Sequence, residues 1–251
     1  MRCMPPPSSN PAARHGLARA LSKLGQCSRS EAVRLIKAGK VTLNGRVRTD
    51  PETPTLAGKD KISVDGVPVG AVKPVYLMLN KPRGLVTTAS DELGRATIFD
   101  CLKGGGLPSH LSAVGRLDKA SEGLLLVTND NRWAAALTDP GQHVDKVYHV
   151  QIDRIADAAF LAAMTRGVET EDGPLKAKRA GLLRTGEKNC WLEVTLDEGR
   201  NRHIRRLLED LNADVLRLVR VRIGALELGA LSKGEWRHLT AVEVAALTRG
   251  P

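Results

Sequence analysis

Aromatic residues are scarce in this chain: three Trp, two Tyr and two Phe make up 3% of 251 residues. That excludes a surface that stacks successive bases on several rings, and leaves room for a single functional aromatic. Cysteine is equally sparse. Cys3, Cys27, Cys101 and Cys190 are scattered, with neither the paired spacing of a zinc site nor a disulfide framework. Reduced thiols are expected, and none reads as a nucleophile. The six His are dispersed too, so no metal site is expected. No apolar run approaches the roughly 20 residues that span a bilayer. Met1 to Asn10 is rich in Pro and Ser and lacks the apolar core of a secretory signal, so residues 1–14 read as a disordered tail. A cytoplasmic protein follows, with a monomer as the default. Walker loop, dinucleotide fingerprint and internal repeat are all missing.

What is abundant is positive charge. The formal net charge is +10, which calls for a polyanionic partner. Apolar residues at 42% and charged residues at 26% are ordinary for a soluble globular chain. Residues 1–71 hold 12 Lys/Arg against 5 Asp/Glu. Within them, Leu17, Ala20, Leu21 and Leu24 recur at helical spacing, and Gly25 ends that helix. Ser28-Arg29-Ser30-Glu31 fits a capping box opening a second helix, with Ala32, Val33, Leu35 and Ile36 as its apolar side and Gly39 as its stop. Asn44-Gly45 between Val41-Thr42-Leu43 and Val47 is a strong hairpin signal. Ile62 to Val72 alternates and turns at Asp65-Gly66. Arg19, Lys23, Arg29, Arg34, Lys37 and Lys40 mostly avoid the apolar positions, as either a solvated face or a phosphate-binding face requires. A linker falls near Gly70–Pro74, dividing a small domain over 15–71 from a larger one over 75–248.

In the larger part, strands are expected over Val75–Leu79, Val147–Ile152, Trp191–Leu196, Val215–Val221 and Ala225–Leu228, and helices over Ala156–Gly167 and Arg202–Leu211. Strands and helices mix without a regular βαβ repeat, so the fold class is α+β on a mainly antiparallel mixed sheet. The most informative stretch is Gly115-Arg116-Leu117-Asp118, which leads through Ser121-Glu122-Gly123 into the continuous apolar run Leu124 to Val127. That run suits a strand buried on both faces, and Asn129-Asp130 offers caps for a following helix. A carboxylate at the mouth of a buried strand is either a placed catalytic acid or a turn Asp satisfying backbone donors.

Arg116-Leu117-Asp118 resembles the catalytic loop of the RNA pseudouridine synthases, most closely the RsuA-type branch that modifies ribosomal RNA. Leu79-Asn80-Lys81-Pro82-Arg83-Gly84, Lys146-Val147-Tyr148-His149-Val150 and Glu198-Gly199-Arg200-Asn201-Arg202-His203-Ile204-Arg205-Arg206 resemble other segments of that family, in family order. The 15–71 unit resembles the alpha-L RNA-binding domain of ribosomal protein S-four, which docks RNA with its second helix and hairpin.

The resemblance implies that a specific uridine in ribosomal RNA is isomerised to pseudouridine. The reaction breaks N1–C1′, turns the base and rejoins it through C5; nothing is oxidised or brought in, so no cofactor is implied. Asp118 is then the essential acid near C1′, acting by covalent attack or by acid–base assistance. Arg205 pairs with it, or else is one more phosphate contact in a basic helix. Tyr148 contacts the uracil, where its alternating strand alone would read as core. Lys81 and Arg83 are RNA or structural contacts, Arg116 a phosphate contact, and Arg200 and Arg202 part of the RNA-binding cluster. His203 stands where the family commonly has Gln, and Ser121 where it often has Thr. The competing reading is a non-catalytic ribosome-assembly factor on the same fold, which has no need of an acid facing phosphate. A nuclease lacks the clustered carboxylates that two metals require.

Overall fold

The computed structural model describes residues 14–248 apart from 57, 58, 71, 89, 90, 92, 109 and 172. The expected tail lies, Arg14 apart, outside the described residues, as does Cys3. The chain divides into two compact units, Met1–Pro74 and Val75–Pro251.

In the first unit, β1 (His15–Gly16) leads into α1 (Leu17–Lys23), which buries Leu17, Ala18, Ala20 and Leu21 and ends before Gly25 at φ +74°. The second helix, α2 (Arg29–Lys37), is opened by Ser28, whose hydroxyl accepts from Glu31 N at 3.0 Å. Only this half of the expected capping box forms, because the Glu31 carboxylate turns to Arg34 one turn on. Left-handed Gly39 stops the helix. β2 (Val41–Leu43) and β3 (Arg46–Val47) flank Asn44 and Gly45, both at positive φ, as a type I′ turn requires. After β4 (Pro54–Thr55), which pairs with β1, the strands β5 (Ile62–Val64) and β6 (Val67–Pro68) repeat the device at Asp65-Gly66. The sheet order β3-β2-β5-β6 is antiparallel throughout, and Leu17, Leu21, Ile36, Val41 and Ile62 form the core with their neighbours.

The second unit is built on one nine-stranded sheet. In chain order it runs β7 (Tyr76–Lys81), a 3-10 turn at Ile98–Leu102, β8 (Ser112–Val114), β9 (Glu122–Thr128), α3 (Asn131–Thr138), β10 (Lys146–Ile152), α4 (Ala158–Arg166), β11 (Arg179–Thr185), β12 (Cys190–Leu196), α5 (His203–Asp210), β13 (Val215–Ile223), β14 (Leu226–Glu227), β15 (Trp236–His238) and α6 (Ala241–Thr248). The main path is β11-β12-β10-β13-β9-β7-β15, with β8 beside β9 and β14 beside β13. Every pairing is antiparallel except β9 with β13. This is the α+β, mainly antiparallel mixed sheet that the sequence implied.

All seven residues of β9 are buried, as its apolar run demands. Leu125 and Val127 face one apolar cluster, with Leu77, Leu79, Val150, Leu192 and the α5 residues Ile204, Leu207 and Leu208. Leu124 and Leu126 face the other, with Met78, Trp133 and Leu137 of α3, and Leu247 of α6. Asp130 caps α3 as expected, accepting from Arg132 N at 2.9 Å and Trp133 N at 3.1 Å. Its other oxygen accepts from the Tyr76 hydroxyl, and burial together with that carboxylate pushes the phenol up to about 12.

Candidate active site

Asp118 lies in the loop just before β9, and segment 81–87 holds that loop from the side. Lys81, the last residue of β7, is wholly buried, and its ammonium donates to the carbonyls of Asp118 at 3.0 Å, Ser121 at 2.8 Å and Pro82 at 3.2 Å. Gly84 N donates to Lys119 O, and the Thr87 hydroxyl donates to Leu117 O at 2.7 Å. Ser121 N closes the loop on Asp118 O at 3.0 Å. The backbone on both sides of the carboxylate is therefore fixed by groups 30 to 40 residues away in the chain.

This arrangement corrects one expectation. Lys81 is no RNA contact: a fully buried ammonium with three carbonyl acceptors has no free edge for a phosphate. Burial pulls it down to about 8, against the opposing pull of Asp118 and Glu122. Burying such a charge costs several kcal/mol unless its hydrogen bonds are satisfied, and the three carbonyls satisfy them.

The opposite wall is α5. Arg205 Nε stands 3.8 Å from Asp118 Oδ2, and its terminal nitrogens donate to Ala120 O at 3.3 Å and Val215 O at 3.5 Å. The Arg205 side chain is 13% exposed and the Asp118 side chain 34%. Burial pushes the guanidinium down, Asp118 pulls it up, and Arg202 and Arg83 push it further down. Asp118, Arg205, Arg83 and Arg202 thus share one electrostatic environment. The Asp118–Arg205 separation exceeds a hydrogen bond and leaves Nε without an acceptor; such contacts commonly tighten only when substrate is bound.

Arg202, the residue before α5, is held at φ +50°, a left-handed conformation that a bulky side chain seldom adopts and that marks the start of this helix as a special position. His203 is buried, with Nε2 3.1 Å from Lys176 O and Nδ1 3.4 Å from Glu198 Oε1. Nδ1 has no hydrogen-bond partner and burial pushes the imidazole down, so the ring holds the start of α5 to the segment before β11 through Lys176 O, a polar role open to Gln as well. Ser121 keeps a hydroxyl that is buried without a partner.

Tyr148 sits on β10, 8% exposed, in the cluster that also holds Leu117 and Ile204, the apolar neighbours of Asp118 and Arg205. Its cross-strand partners are Val194 and Arg220. The other expected contacts are at the surface: Arg83, Arg116, Arg200 and Arg202 are exposed, with Arg200 paired to Glu198 at 3.1 Å. In the first unit Arg19, Arg29, Arg34, Lys37 and Lys40 are exposed and Lys23 half-buried; Arg29 pairs with Glu52 and Lys40 with Asp65.

Sequence reasoning missed several groups around this loop. Glu122, next to Ser121, is buried and gripped by Arg217 at 3.1 Å and Lys233 at 2.5 Å. Glu122 itself is 4% exposed, but Arg217 and Lys233 are 39% and 59% exposed, so solvent screens both pairs. Thr87 and Arg220 were not singled out either. Two surface clefts, of about 360 and 350 Å³, are lined by other residues than Asp118, Tyr148 and Arg205. Among the described residues no three His, Cys, Asp or Glu side chains come together to hold a metal ion, and no helix is long and apolar enough to cross a membrane.

Comparison with known proteins accounts for both units. Residues 75–210 match the model of the RNA pseudouridylate synthase family, and residues 16–62 match the S4 domain. The chain is 36% identical over 233 residues to the ribosomal large subunit pseudouridine synthase B of Bacillus subtilis, covering 92% of this chain and 94% of that one. It is 37% identical over 228 residues to an RNA pseudouridine synthase of Aquifex aeolicus, covering 90% and 91%. A solved pseudouridylate synthase superposes with a TM-score of 0.66 at 29% identity, over 93% of this chain and 99% of that one. With more than half its length matched by the synthase model and its relatives matched almost end to end, the chain belongs to the RNA pseudouridylate synthase family and carries an S4 domain ahead of the synthase.

Proposed function

We propose that the protein isomerises one specific uridine of large-subunit ribosomal RNA to pseudouridine, with Asp118 as its single essential carboxylate and no cofactor. The observation that carries this reading is the clamped loop: Asp118 is fixed through its own backbone by Lys81 and faces Arg205 from a separate helix. Arg205, 3.8 Å away, orients the acid toward C1′. Tyr148 supplies the ring against which the flipped base lies, so the cost of unstacking, a few kcal/mol, is offset inside the site. Bond breaking and bond making both occur within the substrate, so the electron balance closes without a redox group. The large-subunit assignment comes from the Bacillus relative's name. The protein acts as a monomer on RNA in the cytoplasm.

The test is to map pseudouridine in ribosomal RNA by carbodiimide labelling and primer extension, in cells with and without the protein. One large-subunit stop is expected to vanish in the deletion and return with the wild-type gene. An unchanged map in both subunits would overturn the assignment.

The S4 domain grips the RNA through positive charge on its own helices and turns, separate from Arg83 and Arg116. Replacing Arg19, Lys37 and Lys40 together by Ala should lower the slope of log affinity against log salt by about 2–3, at roughly 0.7–0.9 for each phosphate no longer neutralised. A slope unchanged in the triple variant would mean these cations are merely solvated.

A further inference from the structure

Across the middle of the catalytic sheet four residues stand directly opposite one another on adjacent strands: Tyr148 on β10, Arg220 on β13, Gly123 on β9 and Lys81 on β7. Cross-strand partners share a sheet face. This is the face that carries Leu77, Leu79, Leu125, Val127, Val150 and Leu218, and on which α5 packs. Arg220 therefore lies between the ring of Tyr148 and the lysine that grips Asp118, and Gly123 contributes no side chain to the row.

Arg220 is only 5% exposed. Its Nε donates to Leu124 O at 2.8 Å, while its buried Nη2 has no acceptor, and it forms no ion pair among the described residues. It also bears on another cation, Lys146, two residues from Tyr148 on the same strand: burial pushes that ammonium down and Arg220 pushes it further the same way. Arg217, three residues earlier, makes the opposite case: it meets Glu122 through two nitrogens, at 3.1 and 3.2 Å. A guanidinium cannot shed its charge, so burying it without an anion carries a large desolvation penalty. A fold that neutralises Arg217 and leaves Arg220 unpaired has placed a fixed positive charge beside its catalytic loop, awaiting negative charge that arrives with the substrate.

We propose that Arg220 is a substrate-contacting residue whose guanidinium donates to a carbonyl oxygen of the target uracil, held over Gly123 between Tyr148 and Asp118. This rests on the isomerase reading above. A base, rather than a backbone phosphate, suits a cation so deeply set, because only a nucleotide out of its stack reaches it. When C1′–N1 breaks, the bonding pair stays with the base and its O2 and O4 gain negative charge. When C5 bonds to C1′, the C5 proton is lost and N1 gains one, so the charge is returned. A donor fixed on one of those oxygens is stronger during cleavage than before it, which accelerates the step.

The probe is a synthetic RNA carrying the uridine located by the mapping, with that base unmodified, 2-thio or 4-thio. Wild type should react about 10- to 100-fold more slowly in single turnover on one of the two thio RNAs, sulfur being the poorer acceptor. In Arg220→Gln that thio penalty should shrink to within three-fold, while RNA affinity stays within three-fold of wild type; Arg220→Lys should retain part of the penalty. Equal thio penalties in wild type and both variants would overturn the proposal. So would a loss of affinity with an unchanged rate at saturation, which marks a phosphate contact. Should both variants unfold, wild type indifferent to both thio substitutions overturns it without them. No pseudouridine from wild type on the unmodified RNA would instead defeat the isomerase reading itself.

Discussion

Asp118→Asn is expected to abolish pseudouridine formation, by at least about three orders of magnitude, while leaving RNA affinity within a few-fold. Losses of that size are typical when one member of a catalytic set that acts as a unit is removed. The substitution is nearly isosteric, so the backbone clamp on Asp118 O, Leu117 O and Lys119 O survives. What disappears is the charge that faces Arg205. That pair is long at 3.8 Å and a third of the carboxylate is exposed, so its loss costs about 1 kcal/mol at most. A shift of only about 2–4 °C in the melting temperature follows for a unit of this size. Affinity should hold because a carboxylate facing a polyanion adds nothing to binding. Rate, affinity and melting temperature together separate the alternatives left open by the sequence. Full activity in Asp118→Asn would make Asp118 a turn residue, and a drop in melting temperature well beyond that range would make it structural.

The parts of this molecule that were legible in the sequence are those whose cause is local. Ser28 and Gly39 bracket α2 because a hydroxyl cap and a left-handed glycine act within one turn. Asn44-Gly45 makes its hairpin from two φ values alone, and Leu124–Val127 reads as a doubly buried strand because four apolar residues in a row leave no solvent face. Lys81 was not legible for the opposite reason. In Asn80-Lys81-Pro82-Arg83 it looks like any surface lysine, and its acceptors lie as far as 40 residues away. Arg220 sits in Arg217-Leu218-Val219-Arg220-Val221-Arg222, where three arginines at similar spacing look alike. Only strand order decides that one is buried on the catalytic face and another paired on the reverse. β11 was missed because Arg179–Thr185 is an exposed edge strand, with no apolar alternation to announce it. The four ordered segments that resemble the synthases supplied what local chemistry could not: that distant residues such as Asp118 and Arg205 meet.

Gly123→Ala should be the most destabilising single change in the catalytic unit, larger than most core truncations. Gly123 holds φ at +102°, which L side chains rarely adopt, and its added methyl would lie 2.3 Å from Arg220 O and 2.8 Å from Arg220 N. Those atoms are backbone, so no rotamer change relieves the clash. They also belong to the single parallel pairing of the sheet, β9 with β13, which registers only at Val219↔Glu122 and Arg220↔Gly123. Either the two strands part, exposing Leu124 and Leu125, or the chain does not fold; both imply a loss above about 4 kcal/mol. Gly66→Ala is the control, since Gly66 has a similar φ of +80° but nothing within 4 Å of the added carbon. It should cost only about 1 kcal/mol, the strain of one left-handed residue. Denaturant midpoints for the two variants measure the difference. Near-equal losses would mean that φ strain alone sets the requirement at 123, and that the close approach of Arg220 to β9 is relaxed at little cost. A far larger loss at 123 ties the sheet's one parallel seam to the position of Arg220, and through Lys81 to the carboxylate it serves.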